Sequence, residues 1–433
     1  MQSIGFLTVG CKLNQFETEQ MREIARQEGF MSADANGGAD VFVVNTCTVT
    51  SKSDYRSRQA VRRAIRANPD ALIVVTGCYA QRFPGDLAEI DGVDLVLGNA
   101  EKLDIVRYLK ADKPPGVTVK VSDIARMDAL PAHTRLHGFG GYTRAFVKIQ
   151  DGCDNRCAYC AVPLARGASR SKRPECVREE VELLAGEGFK EVVLTGVHLG
   201  AYGKDLAPSF SLARLLRGLA DIEGIERIRL SSVEPGDFSD DLIATIADAR
   251  AKICPHVHVP LQSGDDDVLR RMGRHYTRGQ YSGVIERIAG EVPHCGIGAD
   301  VMVGFPGEDD RAFENTRRLL EDLPVTYLHV FSFSRRKGTR AAAFPGQVEP
   351  PVRKERSRVL RELGKAKSGA FRRSLVGKDL AVIVLGPRAG KPAAGLSGNY
   401  VKTYFREPLL RGGIVTARVK AIEADGVLAE AVP

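Results

Sequence analysis

Short apolar runs punctuate the first 110 residues: IGFLTV, VFVVN, ALIVVTG and VDLVLGN. Between them, NQFETEQMREIARQEGF and SKSDYRSRQAVRRAIRA carry apolar residues at helical spacing. Fully apolar runs alternating with amphipathic helices predict an open α/β domain over residues 1–110, its parallel sheet covered on both faces. Residues 111–140 carry Pro and Gly without a clear period and read as a linker. From residue 144 the alternation resumes, with six strand candidates in RAFVKIQ, KEVVLTG, RIRLSS, HVHVPL, IGADVMVGF and TYLHVFSF. Six repeats fall short of the eight of a closed barrel. Residues 141–370 are therefore expected to form a partial (β/α)6 barrel with its site at the strands' carboxyl ends. The last stretch, 371–433, alternates short strands with Gly and Pro, predicting a small antiparallel β-barrel similar to an oligonucleotide-binding fold.

Composition narrows the class. Hydrophobic residues make up 43% and charged residues 27% of the 433 positions, and no apolar run approaches the ~18 residues of a membrane span. The first twenty residues lack a basic segment ahead of an apolar one, so no secretion signal is expected and the cytoplasm is the expected compartment. There, nine cysteines point to metal binding or catalysis rather than to a disulfide framework.

The formal charge of +8 is concentrated at one end. Arg353–Arg373 holds nine Lys/Arg against two Asp/Glu, and Ser374–Pro433 eight against five, leaving the rest slightly acidic. A basic end on a nearly neutral body suggests a polyanionic partner, with a solvated helix face as the alternative.

Cys153, Cys157 and Cys160 fall within eight residues, in a Gly-, Asp- and Asn-containing loop directly after a predicted strand. Cysteines in tight local runs ligate iron–sulfur clusters, and three of them leave one iron of a cubane open. A structural zinc site needs a fourth ligand, and the next cysteine is Cys176, with no histidine between. Zinc and three unrelated core thiols remain as alternatives.

The C-x3-C-x2-C spacing at the tip of a first barrel strand resembles the radical S-adenosylmethionine enzymes, whose open iron binds the amino and carboxylate groups of that cofactor. Tyr159 stands where such enzymes commonly carry an aromatic residue. The resemblance implies cofactor contacts at the strand ends LTGV (Thr195, Gly196), LSSVEP (Ser232, Glu234), PLQSG (Gln262, Ser263) and VGFPGE (Gly304). Gly196 is followed by Val197 and His198 rather than completing a Gly-Gly-Glu turn, so the match there is partial and rests on backbone contacts.

Cys11, Cys47 and Cys78 each lie one or two residues beyond a predicted strand of the first domain. In an open parallel sheet those ends converge on one crevice, so three cysteines far apart in sequence can meet. Any one alone reads equally as a buried thiol.

TVGCKLNQFETE, NTCTVTSKSDYRSRQAVRR and VVTGCYAQRFP, together with KIQDGCDNRCAYCAVPLARG, look like the methylthiotransferase family, and the resemblance covers essentially the whole chain. It implies two 4Fe–4S clusters, one on Cys11, Cys47 and Cys78 and the other on Cys153, Cys157 and Cys160. It also implies two S-adenosylmethionine molecules per turnover, an electron donor such as flavodoxin or ferredoxin, and a C-terminal RNA-binding module called TRAM. NTCTVT and GVHLGAYGKDL are similar to the branch acting on N6-threonylcarbamoyladenosine in tRNA, beside the anticodon. Isopentenyladenosine or a ribosomal protein as substrate, and a non-catalytic iron–sulfur RNA sensor, are the alternatives.

RNA loops are read by stacking and by cations. Candidates for gripping the anticodon stem-loop are Tyr400, Lys402, Tyr404 and Arg406 near the end of the chain, and Arg56, Arg58, Arg62, Arg63 and Arg66 behind Cys47. Cys176, Cys254 and Cys295 read as structural thiols, and His198, His256, His258 and His329 as packed or hydrogen-bonded residues rather than catalysts. No residue is assigned as a general base.

Overall fold

The computed structural model describes residues 2–432 apart from 35–36, 110–112, 128, 131–138, 249, 251 and 388–392. The N-terminal sheet contains β1 (Ser3–Thr8), β2 (Met31–Ala33), β3 (Val41–Thr46), β4 (Leu72–Gly77), β5 (Leu95–Leu97) and β6 (Thr118–Lys120). Their order is β2-β1-β3-β4-β5-β6, and every pairing is parallel. Strands β3 and β4 are buried at every position, as expected of a sheet covered on both sides by helices. Helix α1 (Lys12–Gln27) joins β1 to β2, and α2 (Ser51–Ala67) joins β3 to β4. Thr50 caps α2 by accepting from the Ser53 amide, and Ser57, Ala60, Val61 and Ala64 form its buried stripe at three- and four-residue spacing.

Strand β6 lies in the stretch expected to be a linker. It has no buried apolar residue, which is why the hydrophobic pattern missed it. Backbone bonds hold it: Thr118 donates to Asp94 O at 2.8 Å and Gly98 to Lys120 O at 2.8 Å. The expected boundary at 110/111 lies outside the described residues.

The middle of the chain supplies all six expected strands: β7 (Ala145–Lys148) and, after the short ribbon of β8 (Gln150–Asp151) with β9 (Arg170–Ser171), β10 (Glu191–Thr195), β11 (Arg227–Leu230), β12 (His256–His258), β13 (Gly296–Val303) and β14 (Tyr327–Ser332). They form two parallel three-stranded sheets, β7-β10-β11 and β12-β13-β14. Parallel bridges Ile228–Ile253 and Ser232–His258 join the two into one curved wall. Valines, isoleucines and leucines of these strands pack against the surrounding helices in one continuous core. The interior face instead carries His256, His258, Asp300, Tyr327 and His329, joined by hydrogen bonds and ion pairs.

A long helix, Pro350–Ser374, runs back along β14, with Gly364 against Leu328. It leads to a closed five-stranded barrel of β15 (Asp379–Pro387), β16 (Ala393–Ser397), β17 (Lys402–Phe405), β18 (Ile414–Ile422) and β19 (Val427–Ala431). The sequence pattern predicts an antiparallel barrel throughout, but β17 and β19 pair in parallel to close it. Strand β16, AAGLS, is too small and too weakly patterned to be expected from the sequence. No helix among the described residues is long and apolar enough to cross a membrane.

Candidate functional site

Strands β1, β3 and β4 are neighbours, and their carboxyl ends carry the first cysteine trio side by side. Cys11 is the residue before α1, Cys47 follows β3, and Cys78 opens helix α3 (Cys78–Arg82). Two glycines make the approach possible. A Cβ on Gly10 (φ +120°) would stand 2.8 Å from Cys47 Cβ, and one on Gly77 (φ +97°) 2.4 Å from Asn45 Oδ1. Ser57 Oγ fixes the Cys47 turn by accepting from the Cys47 amide at 3.1 Å and donating to its carbonyl at 3.0 Å. Burial, then the proximity of Cys78, pushes the Cys47 thiol up to about 11. Burial raises Cys78 as well, while Arg166 pulls it the other way.

The second trio lies in the loop after β8. Cys153 N–H donates to Gly167 O and Cys160 N–H to Cys157 O, each at 3.1 Å. Burial pushes the thiols of Cys153 and Cys160 up, to about 11 and about 12. Arg274 Nη1 donates to Cys157 Sγ at 3.3 Å, and Arg274 also pairs with Glu234. His198 Nδ1 lies 4.0 Å from Cys153 Sγ, and its Nε2 is 2.7 Å from Asp237 Oδ2.

All three donors of each trio are free thiols, the ligand type of an iron–sulfur cluster, and three of them leave one iron of a cubane without a protein ligand. Elsewhere, among the described residues, His258, Asp300 and His329 bring three donor atoms within 4.8 Å of one another. Thiols raised by burial become ligands only when a bound metal compensates their charge, so loading releases protons.

Other expected contacts gather at the same strand ends. Thr195 ends β10 and Gly196 follows it; Ser232 follows β11, Gln262 follows β12 and Gly304 follows β13. Gly304 N–H donates to Glu308 Oε1 at 2.9 Å. Tyr159 packs edge-on against Phe305. Ser263 is fully buried, its Oγ 3.3 Å from Thr316 Oγ1, and Glu234 is engaged by Arg274.

Two polar seams join the N-terminal sheet to the barrel wall. In the first, Glu17 of α1 meets Lys102, Lys148 and Arg166, and Asp151 meets Lys148 and Arg166. Burial pushes the Glu17 carboxyl up, but the charges of Arg166, Lys102 and Lys148 overcome it and hold it well below its usual range. Arg166 Nη2 also donates to Asn14 Oδ1 at 2.8 Å, the same oxygen that lies 3.9 Å from Cys11 Sγ. In the second, the loop after β14 reaches back: Arg336 pairs with Asp54 at 2.7 Å and donates to Thr48 Oγ1, and Ser334 Oγ accepts from the Ser51 amide at 3.1 Å. Thr48 is next to Cys47, and Arg166 is six residues past Cys160.

The expected RNA-contacting residues are scattered. Arg56, Arg62, Arg63 and Arg66 are exposed on α2 without an ion pair among the described residues, whereas Arg58 donates to Tyr79 Oη at 2.7 Å. Tyr400 stacks on His256 at 4.4 Å and lies over Arg229, which plugs it against the barrel wall. Lys402 and Tyr404 both bind Asp425 at 2.6 Å, and Arg406 is exposed. Of the other packed-residue expectations, Cys254 and Cys295 are buried and Cys176 is half-buried.

Residues 3–98 match the family described as "Uncharacterized protein family UPF0004", and residues 147–320 match the Radical SAM superfamily. The chain is 40% identical over 358 residues to the threonylcarbamoyladenosine tRNA methylthiotransferase MtaB of Bacillus subtilis, covering 82% of this chain and 79% of that protein. The chain belongs to the radical SAM methylthiotransferase family. Against MtaB of Thermotoga maritima the identity is 36% over 430 residues, covering 99% and 96%. A tRNA-2-methylthio-N(6)-dimethylallyladenosine synthase of Moorella thermoacetica is 35% identical, covering 95% and 94%. Among solved structures, the radical S-adenosylmethionine methyltransferase TsrM of Kitasatospora setae shares the fold with a TM-score of 0.58 at 16% identity, covering 78% of this chain and 77% of that one.

Membership in the radical SAM methylthiotransferase family implies a 4Fe–4S cluster and S-adenosylmethionine. Sequence reading missed the side chains that surround the cysteines. Arg166 stands in the PLARG that closes one cysteine motif and Glu17 in the TVGCKLNQFETE that holds Cys11, so their positions were a signal. Arg274 and Lys102 carried none, because only the fold brings them near a cysteine.

Proposed function

We propose that this chain is a tRNA methylthiotransferase that places a methylthio group on C2 of N6-threonylcarbamoyladenosine beside the anticodon, working in the cytoplasm with a flavodoxin- or ferredoxin-like electron donor. The observation that carries the reading is the buried link from the Cys160 loop through Arg166 and Asn14 to Cys11, which ties two three-cysteine sets to one seam. In this reading Cys153, Cys157 and Cys160 hold the cluster that takes S-adenosylmethionine, and Cys11, Cys47 and Cys78 hold a second. Residues 1–110, 141–370 and 371–433 act as the auxiliary-cluster, radical and RNA-binding units, with 111–140 between the first two.

The bound clusters and S-adenosylmethionine supply one-electron chemistry, a methyl group and a sulfur site that no side chain offers. The chain's own residues position them. Arg274 donates to Cys157 Sγ and is itself held by Glu234, which fixes a cation beside that thiolate. Thr195, Gly196, Ser232, Gln262 and Gly304 offer polar and backbone groups at the strand ends, and Tyr159 with Phe305 walls the loop from water. The Arg166 seam keeps the two cysteine sets at a constant separation, the geometric requirement for one substrate to meet both. Exposed Arg56, Arg62, Arg63 and Arg66, with Arg361, Lys365 and Arg373 of the long helix, supply cations for the RNA backbone.

Mass analysis of tRNA nucleosides from a strain lacking the gene tests the proposal. The methylthio form of threonylcarbamoyladenosine should disappear while its precursor accumulates. Loss of the dimethylallyl form instead would overturn the reading.

A further inference from the structure

The inner face of the barrel wall carries a group of metal-type donors distinct from the cysteine trios. His258 ends β12, Asp300 lies in β13 and His329 in β14, three neighbouring parallel strands. Asp300 and His329 are register partners, and His258 is paired with Gly298, one step back along the same face of β13. One oxygen, Asp300 Oδ1, stands 2.9 Å from His258 Nε2 and 3.3 Å from His329 Nδ1. The three donor atoms all lie within 4.8 Å of one another.

Two imidazoles and a carboxylate are a donor set for divalent transition ions, imidazole suiting zinc and iron. Bonds of about 2.0–2.2 Å place neighbouring ligands of one ion roughly 3–3.5 Å apart, and two of the three pairs already stand near that spacing. The surroundings hold the donors in place. His258 turns its other nitrogen, Nδ1, to Tyr327 Oη at 3.1 Å, and Tyr327 Oη is 2.8 Å from His256 Nε2. With the proton on Nδ1, His258 donates to the tyrosine and the tyrosine donates to His256, which leaves the Nε2 lone pair of His258 for a metal. Ligating histidines are oriented through their second nitrogen in this way. Gly298 makes room for the contact, since a Cβ there would stand 2.3 Å from Tyr327 Oη and 2.6 Å from His258 Nδ1. The Asp300 carbonyl accepts from the Leu261 and Gln262 amides at 3.1 and 2.8 Å, which fixes the backbone that carries the carboxylate. The His329 side chain is 52% exposed, so the group is open on one side.

We propose that His258 Nε2, Asp300 Oδ1 and His329 Nδ1 form a site for one divalent transition-metal ion such as zinc, separate from both cysteine sets. Three protein ligands leave a coordination position on the exposed side, where water or a carboxylate oxygen completes the shell. One carboxylate against a dication leaves the site net positive, which favours an anionic oxygen there. The site does not depend on which nucleoside the chain modifies.

The test uses the cluster-loaded full chain, dialysed anaerobically against zinc and then freed of unbound metal. Wild type should retain about one zinc per chain with its iron content unchanged, and X-ray absorption at the zinc edge should show nitrogen and oxygen neighbours with imidazole scattering and no sulfur. Asp300→Asn and His329→Asn should each weaken zinc binding at least about tenfold, and Tyr327→Phe about 10- to 100-fold through the orientation of His258. His329 is half-exposed on an edge strand, so its variant carries the test should Asp300→Asn fail to fold. A wild type that retains no zinc overturns the proposal and leaves the three side chains as a hydrogen-bonded group. A sulfur shell assigns the zinc to cysteines, and equal retention by wild type and His329→Asn assigns it to the surface; either result overturns the proposal as well.

Discussion

Arg166 Nη1 stands 2.9 Å from Glu17 Oε1, with the two side chains 3% and 0% exposed. One closes the short helix Val162–Arg166 that follows the second cysteine trio and the other lies on the helix that follows Cys11, so this pair ties the two cysteine-bearing segments together. Removing one partner of a buried pair leaves an uncompensated charge and costs about 3–5 kcal/mol. Arg166→Ala is expected to lower stability by that amount in urea unfolding. Limited proteolysis should then separate the N-terminal sheet from the barrel, and an unchanged urea midpoint would show the pair to be idle.

Glu191 predicts a pH dependence. Burial pushes its carboxyl up, but the guanidiniums of Arg229 and Arg227 overcome this and hold it down to about 2. A depressed carboxyl contributes stability above its unfolded pKa of about 4.3, here about 3 kcal/mol, and that stability is lost as pH falls toward 2. Unfolding free energies at pH 7, 5 and 3 should show it as a wild-type loss that Glu191→Gln lacks. The variant should be less stable at pH 7, because three arginines lose their shared carboxylate.

If each cysteine trio holds one cubane, iron content separates them. The reconstituted wild type should carry about eight irons per chain. Substituting Cys11, Cys47 and Cys78 together with alanine, or Cys153, Cys157 and Cys160 together, should leave about four. The first triple variant should still cleave S-adenosylmethionine under reduction, and the second should not. Four irons in the wild type would reduce the site to a single cluster.

The parts of this site that are legible in the sequence are those set by local chain chemistry. The Cys153, Cys157 and Cys160 loop is contiguous, and Cys11, Cys47 and Cys78 can be placed together because β1, β3 and β4 are recognisable buried strands whose ends converge. The six barrel strands are visible for the same reason. Strand β6 is not, since an exposed edge held by backbone bonds leaves no hydrophobic trace. Tyr400 reads in sequence as a base-stacking residue, but the turn at Asn399 presses it onto His256. The network of Glu17, Lys102, Asp151 and Arg166 unites residues as far as 149 positions apart, and a charge on a helix reads as solvated until the facing domain is known.

Arg274 is expected to tune the cluster beside it. It is 4% exposed on its side chain, donates to Cys157 Sγ at 3.3 Å, and is paired with the Glu234 carboxylate. Hydrogen bonds and positive charge at a cluster sulfur favour the reduced form. Arg274→Gln should therefore make the midpoint potential more negative by some tens of millivolts, about 1 kcal/mol or more for a one-electron couple. Anaerobic titration followed by electron paramagnetic resonance measures it, and an unchanged potential would limit Arg274 to orienting Glu234.

Arg62 and Arg63 test the RNA surface. Both are exposed on α2, which begins four residues past Cys47, and neither has an ion pair among the described residues. The acidic side chains of Asp86, Glu89 and Asp91 line a groove with Arg62 and Arg66, so the stripe is not uniformly positive. If the stripe grips phosphates, reversing both charges with Arg62→Glu and Arg63→Glu should weaken tRNA binding at least tenfold. It should also flatten the dependence of log affinity on log salt by roughly one for each phosphate no longer neutralised. Iron content and thermal stability should stay near wild type, since surface substitutions away from packed features usually change stability by no more than about 0.5 kcal/mol. A double variant with unaltered affinity and salt slope would move the RNA track to the long helix, where Arg361, Lys365 and Arg373 are exposed and unpaired among the described residues.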